Sequence, residues 1–571
     1  MAEGFMAEGS ITGGSVAENP MAEGSITGGS TVGGRKKRIL ILGAGIMQGP
    51  AIRRAGEMGL ETVVVDGDPQ APLAGEADRF EAVDLKDIHA IEKLARTLKE
   101  EGGLDGVMTA GTDFSASVAW TAEKLGLPGI SYETALDASD KERMRRRFEE
   151  AGLPSPGFVI LTGAVPAALP FPFPAVVKPV DNMGARGCRR VDSPEELGTA
   201  AAEALRFSRS GRVIVEEFME GPEFSLDAVV YRGEVTICGV ADRHIFFPPY
   251  FIEMGHTMPA AVFPEDRDAL TGLFIRGIRA LGIDNGAAKG DLKLTSKGPM
   301  IGEIAARLSG GYMSGWTYPY ASGADPARGA VCAALGLPPG GLEPVRNWTS
   351  AERAFISIPG VVRGLYGLDR ARGVPGVRDL FLRTAPGRRL FFPENNVSKA
   401  GNVISATPDR GTAAAAAESA ARAVLIRLKA PDKETEAFLA GSTEPFPPPA
   451  FSFDPELLAA VPEMTVLPEK ASGGPAEPVT LVPVPALTGS DERDYQGRTV
   501  TETLEAVREL TALALPEYTG PFPAEDSSSP GRRILGREFW RALIRGGYQG
   551  AVYYIDCLFP QQEGGRGESL V

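Results

Sequence analysis

The stretch DLKLTSKGPMIGEIAARLSGG, residues 291–311, decides the fold of this chain. Two segments in which apolar and polar residues alternate flank a Thr-Ser-Lys-Gly turn, so the stretch predicts a β-hairpin. Asp291 and Glu303 both lie six residues from Lys297. In a hairpin centred on that lysine, the two carboxylates face each other on one side of the sheet, with Cβ atoms about 5 Å apart.

Two like charges so placed destabilise a hairpin unless a positive charge lies between them. Mg²⁺ bridging the phosphates of a nucleotide meets that need because it prefers oxygen ligands, whereas zinc usually also recruits His or Cys. Arg307, just beyond the second strand, would then face the metal and the developing negative charge. The alternative is a solvated hairpin, since a one-residue shift in register puts Asp291 and Glu303 on opposite faces.

The segment KPVDNMGARG, residues 178–187, has the features of a phosphate-binding loop. Lys178 closes a predicted strand, and the loop after it contains Gly184 and Gly187. A lysine offers a point charge and a mobile glycine loop offers backbone N–H donors, as phosphoryl transfer requires. An ordinary surface loop is the open alternative. The sequence contains no G-x-x-x-x-G-K-[ST] motif, so any ATP site is not a P-loop.

Acidic residues mark the bend in VIVEEFMEGPEFSLDAVV, residues 213–230. An apolar strand ends in Glu216 and Glu217 before a Gly-Pro turn, and a second strand opens at Glu223. Carboxylates at such a bend can hold an adenine amino group and a ribose hydroxyl. The alternative is the polar end of a hairpin, exposed to water.

Near the N-terminus, residues 39–42 form a continuous apolar run that ends in the glycine turn GAGIMQG, residues 43–49. The pattern predicts a buried parallel strand that leads into a helix. Further strands at 62–65 and 106–109 predict a doubly wound α/β unit. Asp66, about twenty residues beyond the turn, makes bound NAD an alternative. A substrate-carboxylate or structural role is favoured, because such turns place helix N–H groups beside any anion.

The chain divides into five predicted parts, so the fold class is a multidomain α/β and α+β protein. They are a disordered tail (1–37) with a repeat, a doubly wound α/β domain (38–125), an α+β domain (126–345) with a lid at about 145–215, a closing α+β domain (346–442), and a C-terminal module of unknown role (450–571). An alanine-rich helix is predicted at 412–428 and a proline-rich linker at 443–449. The apolar residues of 537–559 predict a core or an oligomer interface.

Composition excludes several classes of protein. A net charge of -15 and a pI near 5.0 argue against a nucleic-acid partner, which needs a basic surface. The basic run at 143–147 predicts only a solvated helix face. The four cysteines have neither disulfide nor zinc-ligand spacing, which favours the reducing cytoplasm. No apolar run reaches the roughly 18 residues of a membrane span.

Taken in order, four motifs resemble the ATP-grasp enzymes: SDKERMRRRFEEAGLPSP around Lys141, VVKPVDNMGARG around Lys178, EEFMEGPE at 216–223, and EIAARLSGG after an acidic strand. The resemblance covers about residues 38–430. It implies a preATP-grasp domain, an ATP-grasp domain with its lid, and a closing C-terminal domain.

The resemblance also implies a nucleotide site. Its residues would be Lys141 and Lys178 at the phosphates, residues 181–187 as the closing lid, Glu216 at the adenine amino group, Met219 at the hinge and Glu223 at the ribose. Asp291 and Glu303 match the magnesium ligands, and Arg307 matches the arginine that stabilises an acyl phosphate.

One departure narrows the resemblance. Many members carry Asn-Pro-Arg after the second metal ligand, whereas this chain has Ala305, Ala306 and Arg307. The match is therefore closer to the L-amino acid ligase branch, which tolerates small residues there. The segment IEMGHTMPA, residues 252–260, is also similar to that branch, in which the histidine, here His256, lies at the acceptor site. A structural role for His256 is the open alternative.

The resemblance implies an enzyme that uses ATP and Mg²⁺, or Mn²⁺ in its place, to join a small carboxylate to an amine through an acyl phosphate. No nucleic-acid or membrane partner is expected, and a homo-oligomer remains open. The alternatives are a bicarbonate-using enzyme of the carboxylase or carbamoyl-phosphate type, a nicotinamide oxidoreductase and a non-catalytic nucleotide-binding protein. The chain lacks the Met-Lys-Met sequence of a biotin carrier.

Overall fold

The computed structural model of the chain describes residues 31–32, 34–163, 165–166, 168–441, 445–463, 478–520 and 533–559. Residues 1–30 of the predicted disordered tail, with the repeat, lie outside the described residues, as do residue 442 of the closing domain and residues 443–444 of the linker. Within the rest of the predicted tail, Thr31–Val32 and Arg35–Lys36 form a pair of antiparallel strands. The chain forms two compact units. The first runs to residue 353 and includes 394–396 and 404–417, and the second comprises 354–393, 397–403 and the chain from 418 onward.

Through residue 355 the strands are β1 Thr31–Val32, β2 Arg35–Lys36, β3 Arg38–Leu42, β4 Glu61–Asp66, β5 Arg79–Ala82, β6 Gly106–Thr109, β7 Phe158–Leu161, β8 Ala175–Pro179, β9 Arg189–Val191, β10 Val213–Glu217, β11 Glu223–Tyr231, β12 Glu234–Phe246, β13 Ile252–Met258, β14 Gly286–Thr295, β15 Gly298–Ala305 and β16 Thr349–Phe355. The helices over the same part are α1 Gly49–Glu57, α2 Ile88–Gly102, α3 Ser115–Leu125, α4 Tyr132–Asp137, α5 Lys141–Glu150, α6 Pro194–Phe207, α7 Pro264–Ala280, α8 Tyr318–Ser322 and α9 Pro326–Ala334. Shorter helical turns are Ile46–Gln48, Ala74–Glu76 and Met313–Thr317.

From residue 360 onward the strands are β17 Gly360–Tyr366, β18 Val377–Leu382, β19 Arg389–Leu390, β20 Gly401–Thr407, β21 Leu425–Leu428, β22 Val479–Leu481 and β23 Arg533–Leu535. The helices are α10 Leu368–Arg372, α11 Arg410–Ala423, α12 Lys433–Ala440, α13 Pro455–Ala459, α14 Pro485–Thr488, α15 Val500–Thr511 and α16 Arg537–Leu558.

Four parallel strands in the order β5-β4-β3-β6 open the first unit. The apolar run at 39–42 is fully buried in β3, and α1 begins at Gly49, where the glycine turn ends. The parallel α/β arrangement predicted for this part of the chain is confirmed. Asp66 accepts hydrogen bonds from the backbone N–H groups of Ala44, at 2.8 Å, and Asp68, at 3.0 Å. Its carboxylate thus holds the glycine turn, in keeping with the structural one of the two roles that the sequence favours, and a role in binding a substrate carboxylate stays a prediction.

The central sheet of the first unit is antiparallel and runs in the order β15-β14-β11-β12-β13-β16. One face of β11 is apolar, with Phe224, Leu226 and Ala228 buried in a core that also contains Met144 of α5 and Phe274 of α7. The alternate residues of this strand are polar, because side chains of a strand alternate between the two faces. The alternation therefore leaves the other face free to carry charge.

A smaller antiparallel sheet, β7-β10-β8-β9, lies in the region predicted as the lid and is termed the lid sheet. Helix α6 packs against it, and Val177, Val215, Leu197 and Ala204 share its buried core. This small sheet with its own core presents two strands, β8 and β10, whose polar residues belong to the site described below.

The second unit contains a three-stranded antiparallel sheet, β19-β17-β21, together with the long helix α16. Trp540 and Phe539 of α16 are fully buried, which confirms the core predicted at 537–559. The predicted helix 412–428 is wrong at its end: α11 stops at Ala423, and Leu425–Leu428 forms β21. Leu425, Ile426 and Leu428 are large and apolar, Arg427 is paired with Asp556, and all four are buried as this strand pairs with β17.

No helix in the described part of the chain is both long enough and apolar enough to cross a membrane.

Candidate active site

The two carboxylates of the predicted hairpin lie opposite each other in the sheet. Asp291 on β14 is paired with Glu303 on β15, and an irregularity between these strands falls on the turn side of the pair, next to Leu292. Directly opposed residues of an antiparallel pair project from the same face. The predicted register is confirmed, and the side chains of Asp291 and Glu303 are 15% and 29% exposed.

Lysine side chains supply positive charge beside both carboxylates. Lys289 donates a hydrogen bond to Asp291, which follows it by two residues on β14. Lys141, the first residue of α5, places its Nζ 3.5 Å from Oε2 of Glu303. Burial raises the pKa of Glu303, but Lys141, Lys289 and Lys178 outweigh that effect and lower the pKa to about 2. Glu303 is therefore ionised at neutral pH, as a cation ligand must be.

Glu216 ties the lid sheet to the central part of the site. It is a buried carboxylate whose two oxygens contact Lys178 Nζ, at 2.7 Å, and Arg145 Nε, at 2.9 Å. Burial raises the pKa of Glu216, but Arg145 and Lys178 lower it further than burial raises it. The structure therefore brings Lys141, Lys178, Glu216 and Glu303 into one electrostatic cluster. Whether Glu216 also meets an adenine stays a prediction.

Arg145 is a residue of this cluster that the sequence did not indicate. The basic run at 143–147 predicts a solvated helix face, and for Arg145 this is wrong, because its side chain is only 1% exposed. Besides Glu216, Arg145 donates to the carbonyl oxygen of Gly302 at 2.5 Å. A buried carboxylate needs paired cations, and α5 supplies one of them.

The predicted lid loop has a defined backbone conformation. Gly184 and Gly187 have φ of +68° and +67°, a region that glycine adopts without steric cost. A Cβ on Gly187 would lie 2.7 Å from Phe207, so the site also lacks room for a side chain. The Asp181 carboxylate accepts hydrogen bonds from the backbone N–H groups of Arg209, at 3.1 Å, and Ser210, at 2.6 Å. These bonds anchor the start of the loop.

The hinge residues lie between the lid sheet and the central sheet. Glu217 contacts Lys297 at 3.2 Å, and the carbonyl oxygen of Met219 accepts a hydrogen bond from Lys293 at 3.1 Å. Next to the hinge is a cavity of about 300 Å³. Glu223, the predicted ribose ligand, lines this cavity together with Arg190, Phe218, Arg243, Phe251 and Lys293.

A row of charged residues crosses the same face of the central sheet. Neighbouring strands pair in register through Lys293 of β14, Glu223 of β11, Arg243 of β12, His256 of β13 and Glu352 of β16. Directly opposed side chains interact, so opposite charges in the row stabilise each other. The polar-apolar alternation of β11 was a usable signal for Glu223, but the sequence did not show which strand would pair with it.

Arg307 lies just beyond β15, as the sequence predicts. Its side chain is buried and donates from Nη1 to the carbonyl oxygen of Leu308 at 3.0 Å. The Nε of Arg307 has no hydrogen-bond partner among the described residues. Its positive charge also contributes to lowering the pKa of Glu303. Arg307 therefore keeps a buried donor available in the neighbourhood of Glu303.

Asp227 holds the loop that follows Arg307, and the sequence did not single it out. This fully buried carboxylate accepts hydrogen bonds from the hydroxyl groups of Ser309 and Ser314. Burial raises the pKa of Asp227 against the lowering effect of these serines. Polar residues alternate along β11, and this places Asp227 on the same face as Glu223. That alternation is the sequence pattern from which Asp227 could have been identified.

His256 is fully buried between two carboxylates. Its Nδ1 lies 3.1 Å from Oε2 of Glu352, and its Nε2 lies 3.4 Å from Oε2 of Glu253. Burial lowers the pKa of His256, but Glu253 and Glu352 outweigh it and raise the pKa to about 9. The imidazolium is thus held as a structural cation beside the site, and an acceptor-site role stays a prediction.

The raised pKa of His256 predicts that the stability of the folded protein depends on pH. The stabilisation that protonated His256 contributes is complete below the pKa of the unfolded state, about 6.5, and is lost as the pH rises through about 9. We expect the stability advantage of the wild type over His256→Gln to fall by about 3 kcal/mol between these limits. Urea unfolding at a series of pH values measures it. His89→Gln, on the exposed side of α2, is the control, and parallel profiles for wild type and His256→Gln would contradict the prediction.

The donor set of Asp291 and Glu303 suits Mg²⁺, because both are oxygen ligands on one face and Glu303 is ionised. Within the described ranges, no group of three or more His, Cys, Asp or Glu side chains is arranged to hold a metal by itself. Any Mg²⁺ here would therefore take its remaining ligands from nucleotide phosphates and water, as this ion commonly does.

Comparison with protein families finds three matches along the chain. The ATP-grasp N-terminal domain matches residues 52–129, the ATP-grasp domain matches 171–315, and the L-amino acid ligase C-terminal domain 2 matches 354–429. The second match includes Lys178, Glu216, Asp291 and Glu303, the residues that the structure brings together.

Among relatives, an uncharacterised protein of Sinorhizobium fredii is 27% identical over 64% of this chain and 76% of its own length. Carnosine synthase 1 of Gallus gallus is 30% identical over 64% of this chain, but the match spans only 43% of that protein. The L-amino acid ligase of Bacillus licheniformis has the same fold, with a TM-score of 0.61 and 22% identity over 69% of this chain and 99% of that one. With these three domains in order and its paired carboxylates, the chain belongs to the ATP-grasp superfamily of ligases, with a C-terminal domain of the L-amino acid ligase type.

Proposed function

We propose that the protein is an ATP- and Mg²⁺-dependent carboxylate–amine ligase that forms an amide or peptide bond through an acyl phosphate. The observation that carries the proposal is that Asp291 and Glu303 pair on one face of the central sheet while Lys141 of α5 and Lys178 of β8 act on Glu303. Two carboxylates for a divalent cation and two lysines for phosphates would supply the charge neutralisation and alignment that phosphoryl transfer needs. Mn²⁺ would substitute for Mg²⁺ at the same oxygen ligands.

In the first step, an oxygen of the substrate carboxylate attacks the γ-phosphorus, the bond from that phosphorus to ADP breaks, and ADP leaves. Lys141 and Lys178 hold the phosphates, and the loop with Gly184 and Gly187 covers them with backbone donors. Asp291 and Glu303 would hold Mg²⁺, which neutralises phosphate charge. These residues act by alignment and charge, so no covalent enzyme intermediate is needed.

In the second step, the amine nitrogen attacks the carbonyl carbon of the acyl phosphate. The bond from that carbon to the phosphate oxygen breaks, inorganic phosphate leaves, and the amine loses a proton. Arg307 would stabilise the negative charge of the tetrahedral species through its buried guanidinium. Its unpartnered Nε supports this role.

The substrates are proposed from the relatives. The C-terminal domain matches that of L-amino acid ligases, and carnosine synthase and D-alanine–D-alanine ligase are among the similar proteins. We therefore propose an amino acid or a similar small carboxylate as one substrate and an amino acid or another amine as the other. The four cysteines are free thiols, which supports a cytoplasmic location.

A two-dimensional substrate screen tests the proposal. Phosphate release is measured with ATP and Mg²⁺ over pairs of amino acids, other carboxylates, bicarbonate and amines, and products are identified by mass. We expect release to require both a carboxylate and an amine, with a product mass equal to their sum less one water. Release that requires bicarbonate would instead favour the carboxylase-type alternative, and ATP binding with no ADP formed over the whole screen would favour a non-catalytic protein.

A further inference from the structure

Arg243 lies at the centre of three carboxylates. Its Nη1 contacts Glu223 and lies 3.0 Å from Oδ2 of Asp291, while its Nη2 and Nε lie 2.5 Å and 3.2 Å from Oε2 of Glu253. The Arg243 side chain is only 10% exposed. Three largely shielded carboxylates, 12–19% exposed, around one guanidinium amount to a cation site that a protein side chain already fills.

Sheet geometry makes this arrangement rigid. Arg243 is the direct cross-strand partner of Glu223 on β11 and of His256 on β13. His256 in turn contacts Glu253. Arg243 therefore connects Glu223, the predicted ribose ligand, with the pair formed by Glu253 and His256. A guanidinium keeps its charge at every physiological pH and presents donors in a planar fork, so it can serve three carboxylates at once.

Asp291 therefore meets two cations of the protein, Arg243 and Lys289, before any metal arrives. A free divalent ion that approaches Asp291 is repelled by both. A divalent ion that arrives on a nucleotide is accompanied by negative phosphates, which offset this repulsion. The positive charge of Arg243 therefore repels the free divalent ion more strongly than the nucleotide-bound ion.

We propose that Arg243 is a positioning residue that occupies the place of a cation among Glu223, Glu253 and Asp291, so that the site rejects a free divalent ion and accepts one only together with nucleotide phosphates. The proposal rests on the proposed function, because it takes Asp291 and Glu303 as the metal ligands. It assigns to Arg243 the order in which metal and nucleotide bind.

Binding of Mn²⁺ tests the proposal without any turnover. Free Mn²⁺ is followed by electron paramagnetic resonance as it is titrated with wild type, Arg243→Lys and Arg243→Met, first alone and then in the presence of ADP. Without ADP, we expect weak binding to wild type and binding about 10-fold tighter or more to Arg243→Met, since a unit charge within a few ångströms of the ion is removed. Arg243→Lys keeps the charge but reaches fewer carboxylates, so its affinity should lie between the two.

Arg190→Met is the matched control. Arg190 lines the same cavity, but it contacts Asp192 and the ring of Phe218 and none of the three carboxylates. We expect its affinity for free Mn²⁺ to equal that of the wild type. If Arg190→Met bound free Mn²⁺ as tightly as Arg243→Met, the gain would come from removing any nearby positive charge and not from the place of Arg243 among the carboxylates. That result would overturn the proposal.

The remaining outcomes separate the proposal from the proposed function. If Mn²⁺ with ADP binds but free Mn²⁺ binds equally weakly to wild type and both Arg243 variants, the proposal fails and the ligase function stands. If Mn²⁺ binds no variant even with ADP, both fail. Circular dichroism checks the fold of Arg243→Met. Should that variant not fold, Arg243→Lys decides: an affinity above wild type supports the proposal, and an equal affinity overturns it.

Discussion

Replacing Glu303 by glutamine is expected to lower kcat by about 10³-fold, because the substitution keeps the shape of the side chain but removes the charge that would hold a divalent cation. Glu303 is the better probe of the pair. Its pKa of about 2 shows that the surrounding lysines stabilise the ionised form, and Asp291 already has Arg243 and Lys289 as partners. Asp291→Asn should also lose activity, but with a larger contribution from disturbed protein contacts.

Steady-state kinetics at several Mg²⁺ concentrations measures the effect. Lys141 lies 3.5 Å from Glu303 and also donates to the carbonyl oxygen of Asn182. It loses the ion pair in Glu303→Gln, so ATP affinity should change as well as kcat. Glu234→Gln, an exposed carboxylate at the start of β12, is the control and should match wild type within about twofold. Activity of Glu303→Gln within tenfold of wild type at saturating Mg²⁺ would contradict a metal role for Glu303.

The hairpin was predictable because it is local. Asp291 and Glu303 lie at equal distances from Lys297 and the chain between them is short, so their pairing follows from the sequence. The one-residue shift in register between this pair and the turn, next to Leu292, was not predicted. The parallel strand at 39–42 was predictable for a similar reason, since a fully buried strand is a continuous apolar run. In both places the information lies within a few consecutive residues.

Arg243 was not predictable, because its neighbours come from strands that are distant in sequence. Glu223 and Arg243 are paired across β11 and β12, and the register of that pair shifts at a bulge between Asp227 and Ala228. No pattern in either strand indicates where such a shift falls. The prediction for Arg145 was wrong for another reason. One arginine of a basic run can turn inward when a strand that is distant in sequence offers a buried carboxylate, here Glu216.

The end of α11 shows the limit of helical propensity. The alanine-rich segment is correctly helical, yet propensity says little about where a helix ends when the next residues have a strand to join. Leu425–Leu428 pairs with β17 and is fully buried, so tertiary contacts override the local preference. The surroundings of His256 were not predictable either, because its two flanking carboxylates, Glu253 and Glu352, come from β13 and β16 together. Its role at an acceptor site stays a prediction.

Replacing Arg307 by methionine is expected to lower kcat by about 10²- to 10³-fold while changing KM for ATP by less than about threefold. Arg307 keeps an unpartnered Nε in a buried position and contributes to the low pKa of Glu303, so the substitution removes a positive charge that acts on a proposed metal ligand. Arg307→Lys keeps the charge but lacks the planar guanidinium, so its kcat should lie between those of Arg307→Met and the wild type.

Single-turnover measurements locate the step that depends on Arg307. The proposed role concerns the acyl phosphate and the tetrahedral species, so Arg307→Met should slow formation of the amide product more than binding of ATP. Arg232→Met, at the exposed turn between β11 and β12, is the control for removing an arginine. The backbone N–H of Arg307 donates to Ala305, a contact that the substitution retains, so the loop should keep its path. A variant that binds ATP poorly but reacts at the wild-type rate once saturated would place Arg307 in nucleotide binding and contradict the proposed role.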